Sequence, residues 1–226
     1  MSECSQCGGG VVGVCGHPEC CRCGTPGGFC GEPMPLTFEE GRDIDVLAEY
    51  LAPVLSALIG AGSGVSMEVL NRTPMRWAKA LVEMTAGHEE DPAEILRVFD
   101  VPEADEMVVI RGIEFASLCE HHCLPFSGVA HVAYIPDGRV VGLSKIPRLV
   151  HCFARRLQVQ ERLTAQIARA LMDDIRPLGV GVMLAGHHSC MALRGVRSSG
   201  EMVTSSLLGV FRQPEVRAEF FALVAG

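Results

Sequence analysis

Four of the chain's eight histidines fall in two short windows that also hold cysteine: Cys119-Glu120-His121-His122-Cys123 and His187-His188-Ser189-Cys190. Thiolates and imidazoles gathered in this way are what a borderline-soft ion such as zinc binds. Cys119 and His122 stand three apart, a reach over which one turn can aim both at a single ion. Cys190 comes 68 residues after His122 and has to arrive through the fold. Three protein ligands with histidines left over is the arithmetic of a catalytic metal site, which keeps an open position, rather than of a closed structural one. Cys123 is a rival ligand, but added to the other three it would fill the site. A hydrolytic site needs the opening for water, whose pKa falls toward roughly 7 on zinc. A lone buried Cys or surface His is far commoner than a ligand; two windows of matching chemistry favour metal.

Ser144-Lys145-Ile146-Pro147-Arg148 falls at an expected helix start, where free N–H groups, a hydroxyl and the positive end of the dipole favour an anion. Lys145 and Arg148 add charge to the same turn, and Arg194 follows Cys190 by four. By itself this is a capped helix with two solvated cations; beside a metal window a phosphate site gains weight. Arg76 and Lys79 share a helix face, where a solvated stripe is the default. Gln160-Glu161 places an amide beside a carboxylate, a pair able to donate and accept along a purine edge. Helix starts favour Glu in any case, so that dipeptide is weak evidence alone.

Residues 1–36 differ from everything after them. Seven of the eleven cysteines lie in the first 30 residues, among many glycines and Pro18, Pro26, Pro33 and Pro35. Cys4-x2-Cys7 and Cys20-x2-Cys23 resemble a small zinc ribbon, which would make a second, structural zinc site. The alternative is a disordered tail whose thiols bind nothing, and Cys15, Cys21, Cys30 and His17 leave the ligand set open. With no basic segment and apolar h-region at the N-terminus, a signal peptide is not expected, and reduced thiols in the cytoplasm are. No apolar run approaches the roughly 20 residues of a membrane span. A formal charge of −8 argues against a general nucleic-acid binder, while leaving room for a local cluster that holds a small anion.

The elements that must position these groups follow from periodicity. From Phe38 to Ile59, Ile44, Leu47, Tyr50, Leu51, Val54, Leu55 and Leu58 recur at three and four, predicting an amphipathic helix that Pro53 kinks or divides. Thr73-Pro74 predicts a second helix, with Thr as N-cap, running through Met84 to stop at Gly87. After an acidic loop the period becomes two. Residues 106–111, 113–118, 129–135 and 140–143 read as strands, with Pro136-Asp137-Gly138 as a hairpin turn. Helices follow from Ser144 to about Arg156 and over 159–175, then strands over 180–185 and 202–211, and a last helix over 214–224. Such segregation predicts an α+β fold. The division expected is an extension at 1–36, a helical region leading into the first strand at 37–110, and a catalytic core at 111–226.

Several blocks closely resemble the GTP cyclohydrolase I family: Leu118-Cys-Glu-His-His-Cys-Leu-Pro-Phe126, Val132-Ala-Tyr-Ile-Pro136, Val141-Gly-Leu-Ser-Lys-Ile146, Arg155-Arg-Leu-Gln-Val-Gln-Glu-Arg-Leu163 and Arg194-Gly-Val-Arg197. The likeness runs from about Thr73 to Phe220, in the family's order; it is loose across residues 60–71 and does not reach 1–36. Pro147 and Cys123 depart from the pattern without removing a group the reaction needs. The resemblance implies the tunnelling fold, an antiparallel sheet backed by helices, assembled into a decamer with active sites between subunits. It implies zinc on Cys119, His122 and Cys190, with His121 and His188 as proton-transfer residues. It places triphosphate contacts on Ser144, Lys145, Arg148 and Arg194, with Arg76 and Lys79 contributing, and the guanine edge on Gln160 and Glu161. The reaction implied opens the imidazole ring of GTP, releases formate and forms 7,8-dihydroneopterin triphosphate, an entry to folate or other pterins.

Three rivals are weaker. A reductase of the same fold class needs a nucleophilic Cys without zinc, which the intact Cys119/His122/Cys190 set disfavours. A zinc nucleobase deaminase would carry H-x-E and P-C-x-x-C signatures, which are absent. A binding module with purely structural zinc gives no use for His121 or His188.

Overall fold

The computed structural model describes residues 43–59 and 64–225. The stretch 1–36, and with it the Cys4, Cys7, Cys20, Cys23 group, lies outside the described residues. From Ile44 onward the chain forms one compact unit of α+β class.

Helix α1 (Ile44–Ile59) contains Pro53 without being divided by it. Its packed face is narrower than its apolar pattern: Leu47, Ala48, Leu51 and Leu55 turn inward, whereas Tyr50, Val54 and Leu58 are exposed. Helix α2 (Met67–Met84) starts well before the Thr73-Pro74 signal, where Ser66 accepts a capping bond from the N–H of Val69 at 3.3 Å. Pro74 therefore sits inside the helix, where a proline removes one i→i−4 bond. Pro74 and Ala78, four apart, are the buried residues of α2. Packing of that face overrides the local start signal.

The acidic stretch holds more than a loop. A 3-10 turn at Ala86–His88 is followed by α3 (Pro92–Ile95), capped by Asp91, and by β1 (Val98–Asp100). Gly87 is needed because its backbone meets the next layer: a Cβ there would stand 2.0 Å from the carbonyl oxygen of Cys152. The two strands expected on either side of Gly112 are one, β2 (Val108–Cys119), with a bulge between Ile110 and Ile113. Gly112 occupies the left-handed region (φ 72°), which glycine enters without steric cost and a bulge exploits. An expected domain boundary at 110/111 thus falls inside a strand.

Strand β3 (Pro125–Ile135) pairs antiparallel with β2, and β4 (Arg139–Val141) follows. Pro136-Asp137-Gly138 is a turn but not a hairpin, because β4 pairs with β1 instead of folding back on β3. The Tyr134 hydroxyl accepts the N–H of Val141 at 3.1 Å and fixes that departure. After α4 (Lys145–Ala154) come β5 (Leu157–Gln158), α5 (Gln160–Ile175), β6 (Gly179–His188), α6 (Ser189–Ala192), β7 (Glu201–Gly209) and α7 (Pro214–Ala225).

The main sheet runs β5-β2-β3-β6-β7, antiparallel throughout except for the short parallel pair β2·β5. Period-two alternation gives it two apolar faces. Phe115, Phe126, Val132, Tyr134, Val182 and Leu184 face a core closed by Ile146, Leu149 and Phe153 of α4 and by Leu163, Ile167 and Leu171 of α5. Ala133, on the other face, packs with Phe211, Phe220 and Val224 beneath α7. This is the α+β arrangement that periodicity predicts and the antiparallel sheet backed by helices that the resemblance implies.

Candidate active site

Strands β2 and β6 flank β3 and both run antiparallel to it, so their C-terminal ends emerge at the same end of the sheet. That topology brings together residues far apart in sequence. Cys119 is the last residue of β2, and Cys190 lies in α6, immediately after β6. The sulfur atoms of Cys119 and Cys190 and a ring nitrogen of His122 all lie within 4.8 Å of one another.

The turn between β2 and β3 aims the histidine. Cys119 N–H donates to Leu124 O (2.9 Å), and Cys123 N–H donates back to Cys119 O (2.8 Å). Cys123 adopts the left-handed region at φ 51°, which closes the turn. Its thiol is exposed and does not join the cluster, so the rival ligand falls away. Burial, and then the adjacent Cys119 thiol, push the Cys190 thiol above its ordinary range, while Arg194 pulls the other way. Two facing thiols and an imidazole are a donor set that suits a borderline-soft divalent ion, whose binding displaces thiol protons.

His188 ends β6 directly opposite Phe126 of β3. The two rings stack at 4.6 Å with 7° between their planes. Burial lowers the pKa of His188 from the ordinary histidine value; Glu161 opposes that shift and His187 adds to it. His121 is largely exposed, with Nδ1 3.8 Å from the Cys119 sulfur. Gln160 is not placed along an open edge, as its pairing with Glu161 suggested. Its side chain is fully buried, with Oε1 2.9 Å from His188 Nε2 and Nε2 on Leu184 O, Met202 O and Thr204 Oγ1. Glu161 is exposed at the start of α5.

Two residues around the cluster were not singled out from sequence. Arg162 forms an ion pair with Glu120 and donates to Gln158 Oε1 (3.0 Å) and Leu157 O (2.9 Å). Glu120 N–H in turn donates to Gln158 O at 3.0 Å. Together they tie the turn that carries Cys119 and His122 to the start of α5. The Arg162 contact holds the Glu120 carboxyl below the ordinary glutamate range.

The cations are distributed differently. Ser144 precedes α4, and its side chain makes no capping bond. Lys145 N–H is already used by Gly142 O at 2.8 Å. Pro147 lies in the first turn of α4, where its missing N–H has no intrahelical partner to lose. Lys145 and Arg148 line an open cavity of about 890 Å³ together with His151, Arg155 and the acidic Glu90 and Glu94. Arg76 and Lys79, exposed on α2, are not part of that cavity, and neither are Cys119, His122 and Cys190. Arg194 is exposed close enough to Cys190 to act on its thiol.

An α+β sheet that gathers two thiols and an imidazole at the ends of its strands, with a further histidine buttressed beside them, defines the class: an enzyme with a metal-type site. Comparison with known proteins narrows the class to one family. The chain belongs to the GTP cyclohydrolase I family, whose sequence model matches residues 52–225. It is 47% identical over 186 residues to "GTP cyclohydrolase 1" of Chlorobaculum tepidum, covering 81% of this chain and 83% of that one. It is 50% identical over 178 residues to the protein of the same name from Synechococcus sp. (strain JA-2-3B'a(2-13)), covering 77% of each. To that of Janthinobacterium sp. (strain Marseille) it is 50% identical over 194 residues, covering 84% of this chain and 96% of the relative.

Proposed function

We propose that this chain opens the imidazole ring of GTP by hydrolysis, releases C8 as formate and forms 7,8-dihydroneopterin triphosphate. The observation that carries the reading is the convergence of Cys119, His122 and Cys190 beside His188, in a chain of this family. Cys119, His122 and Cys190 would hold one zinc ion per chain, which supplies Lewis acidity and an activated water when bound. His121 and His188 exchange protons with the purine and ribose as bonds break and form, work suited to imidazoles because they titrate near neutrality. Glu161 accepts from the guanine edge.

Ser144, Lys145, Arg148 and Arg194 hold the triphosphate, with Arg76 and Lys79 contributing. The described cavity that Lys145 and Arg148 line does not reach Cys119, His122 or Cys190. That separation supports a homo-oligomer, a decamer in this reading, in which neighbouring copies complete each site. No described helix is long and apolar enough to cross a membrane. Free thiols at Cys119, Cys123, Cys152 and Cys190 suit a cytoplasmic protein. Catalysis does not depend on residues 1–36, which the family likeness does not reach.

The test is formate release from GTP, with zinc content measured on the same samples. His121→Ala and His188→Ala each abolish formate release and leave bound zinc nearly unchanged. Full activity in either variant removes that residue from proton transfer. A chain lacking residues 1–36 keeps its turnover; a truncated protein that folds and binds zinc yet is inactive would place the extension in the site.

A further inference from the structure

Gln160 is the first residue of α5, and its side chain crosses beneath the β6–β7 pair. Gly186 makes room for it: a Cβ at that position would stand 2.6 Å from Gln160 Oε1. The surrounding hydrogen bonds determine which end of the amide faces which neighbour. Leu184 O (3.2 Å) and Met202 O (2.8 Å) are carbonyl oxygens and can only accept. Turning the amide round would set its own carbonyl against both, so the NH2 end must face them.

The hydroxyls agree. Thr164 spends its single proton on the Gln160 backbone carbonyl at 2.7 Å. The 2.7 Å contact between Thr164 and Thr204 is then donated by Thr204, leaving Thr204 Oγ1 with only lone pairs for the Gln160 NH2 at 3.2 Å. Oε1 is therefore the atom 2.9 Å from His188 Nε2, and a carbonyl oxygen accepts only from a nitrogen that carries hydrogen. Phe126 fixes the plane of the His188 ring by stacking, and Gln160 fixes its rotation within that plane.

We propose that Gln160 is a positioning residue for His188, holding it as the Nε2–H tautomer so that Nδ1 is the nitrogen that gives or takes the reaction's proton, and that the Gln160 side chain does not bind guanine. This rests on the proton-transfer role of His188 proposed above and assigns that role to one atom. A ring whose second nitrogen is fixed by a buried acceptor keeps one tautomer and one orientation, as in the outer shells of metal-ligating histidines.

Two measurements test it on the full-length, zinc-loaded chain. Neutron diffraction from deuterium-exchanged crystals at about pH 8 shows deuterium on Nε2 of His188 and none on Nδ1; deuterium on Nδ1 with a bare Nε2 overturns the assignment. Gln160→Met keeps length while removing the acceptor. It lowers kcat by about 10- to 100-fold, the usual range for such outer-shell partners, with KM for GTP within about twofold and zinc content unchanged. A raised KM with kcat intact means that Gln160 binds the base and overturns the proposal. If the parent chain fails to turn over GTP, the functional reading fails, while the diffraction result still decides the place of Gln160.

Discussion

Gly186→Ala adds one methyl group at the point where β6 passes Gln160. The new carbon would stand 2.6 Å from Gln160 Oε1, 3.4 Å from its Cδ and 3.6 Å from the ring of Phe115. Oε1 is the far end of a flexible side chain, and such atoms usually move aside at little cost. This one accepts from His188 at 2.9 Å, and the Nε2 of the same amide donates to Met202 O at 2.8 Å, so neither end is free to move. Reaching an ordinary contact of about 3.4 Å requires a retreat of about 0.8 Å, enough to bring those bonds to the edge of hydrogen-bond range. An unsatisfied buried polar group costs about 1–3 kcal/mol, and overpacking falls in the same range. A loss of about 2–3 kcal/mol lowers Tm by roughly 4–12 °C in a chain of this size. Calorimetry on the zinc-loaded protein reads that shift, and GTP turnover reads the displaced imidazole as a fall in kcat with KM little changed. A variant whose Tm stays within about 1 °C of the parent's and whose kcat is intact would show that the amide is not pinned as described.

Arg162→Met removes the tie between the ligand-bearing turn and α5. Zinc affinity, measured by competition with a chromogenic chelator, falls by about 10-fold or more; unchanged affinity would mean that the turn holds itself. His131 of β3 has a buried Nδ1 with no hydrogen-bond partner among the described residues. Burial, and then the charge of Arg111, hold its pKa below the ordinary histidine value. The unfolded chain therefore binds the proton first, and stability falls as pH drops through about 6.5, where unfolded histidine titrates. His131→Gln flattens the acid limb of a Tm-against-pH curve between about pH 5 and 7, and curves that run parallel to the parent's would refute that assignment.

The sequence carried the grouping of Cys119, His122 and Cys190 further than it carried the environment around it. Cys119, His122 and Cys190 were legible because thiol and imidazole side chains advertise their chemistry, whatever fold joins them. The strands were legible through period-two alternation, except where Gly112 let β2 bulge and continue across an apparent break. Thr73-Pro74 misled because a cap-and-proline pair is a local signal, whereas Pro74 is placed by burial against its neighbours. Strands β1 and β5 are too short, at three and two residues, to show any period. The place of Gln160 could not be read from its neighbour Glu161. It depends on oxygens at Leu184, Met202 and Thr204 that only the pairing of β6 with β7 brings together. Arg162 and Glu120 stand 42 residues apart and meet only because β2 and the start of α5 end side by side.

Zinc stoichiometry and GTP turnover in Cys190→Ser, measured against the parent full-length chain, test the central claim most directly. Taking the difference between the two cancels any ion held by the N-terminal cysteines. The convergence of residues 119, 122 and 190 predicts the loss of one zinc per chain and of formate release with it. A Cys190→Ser protein that keeps the parent's zinc content and opens GTP at the parent's rate would contradict it.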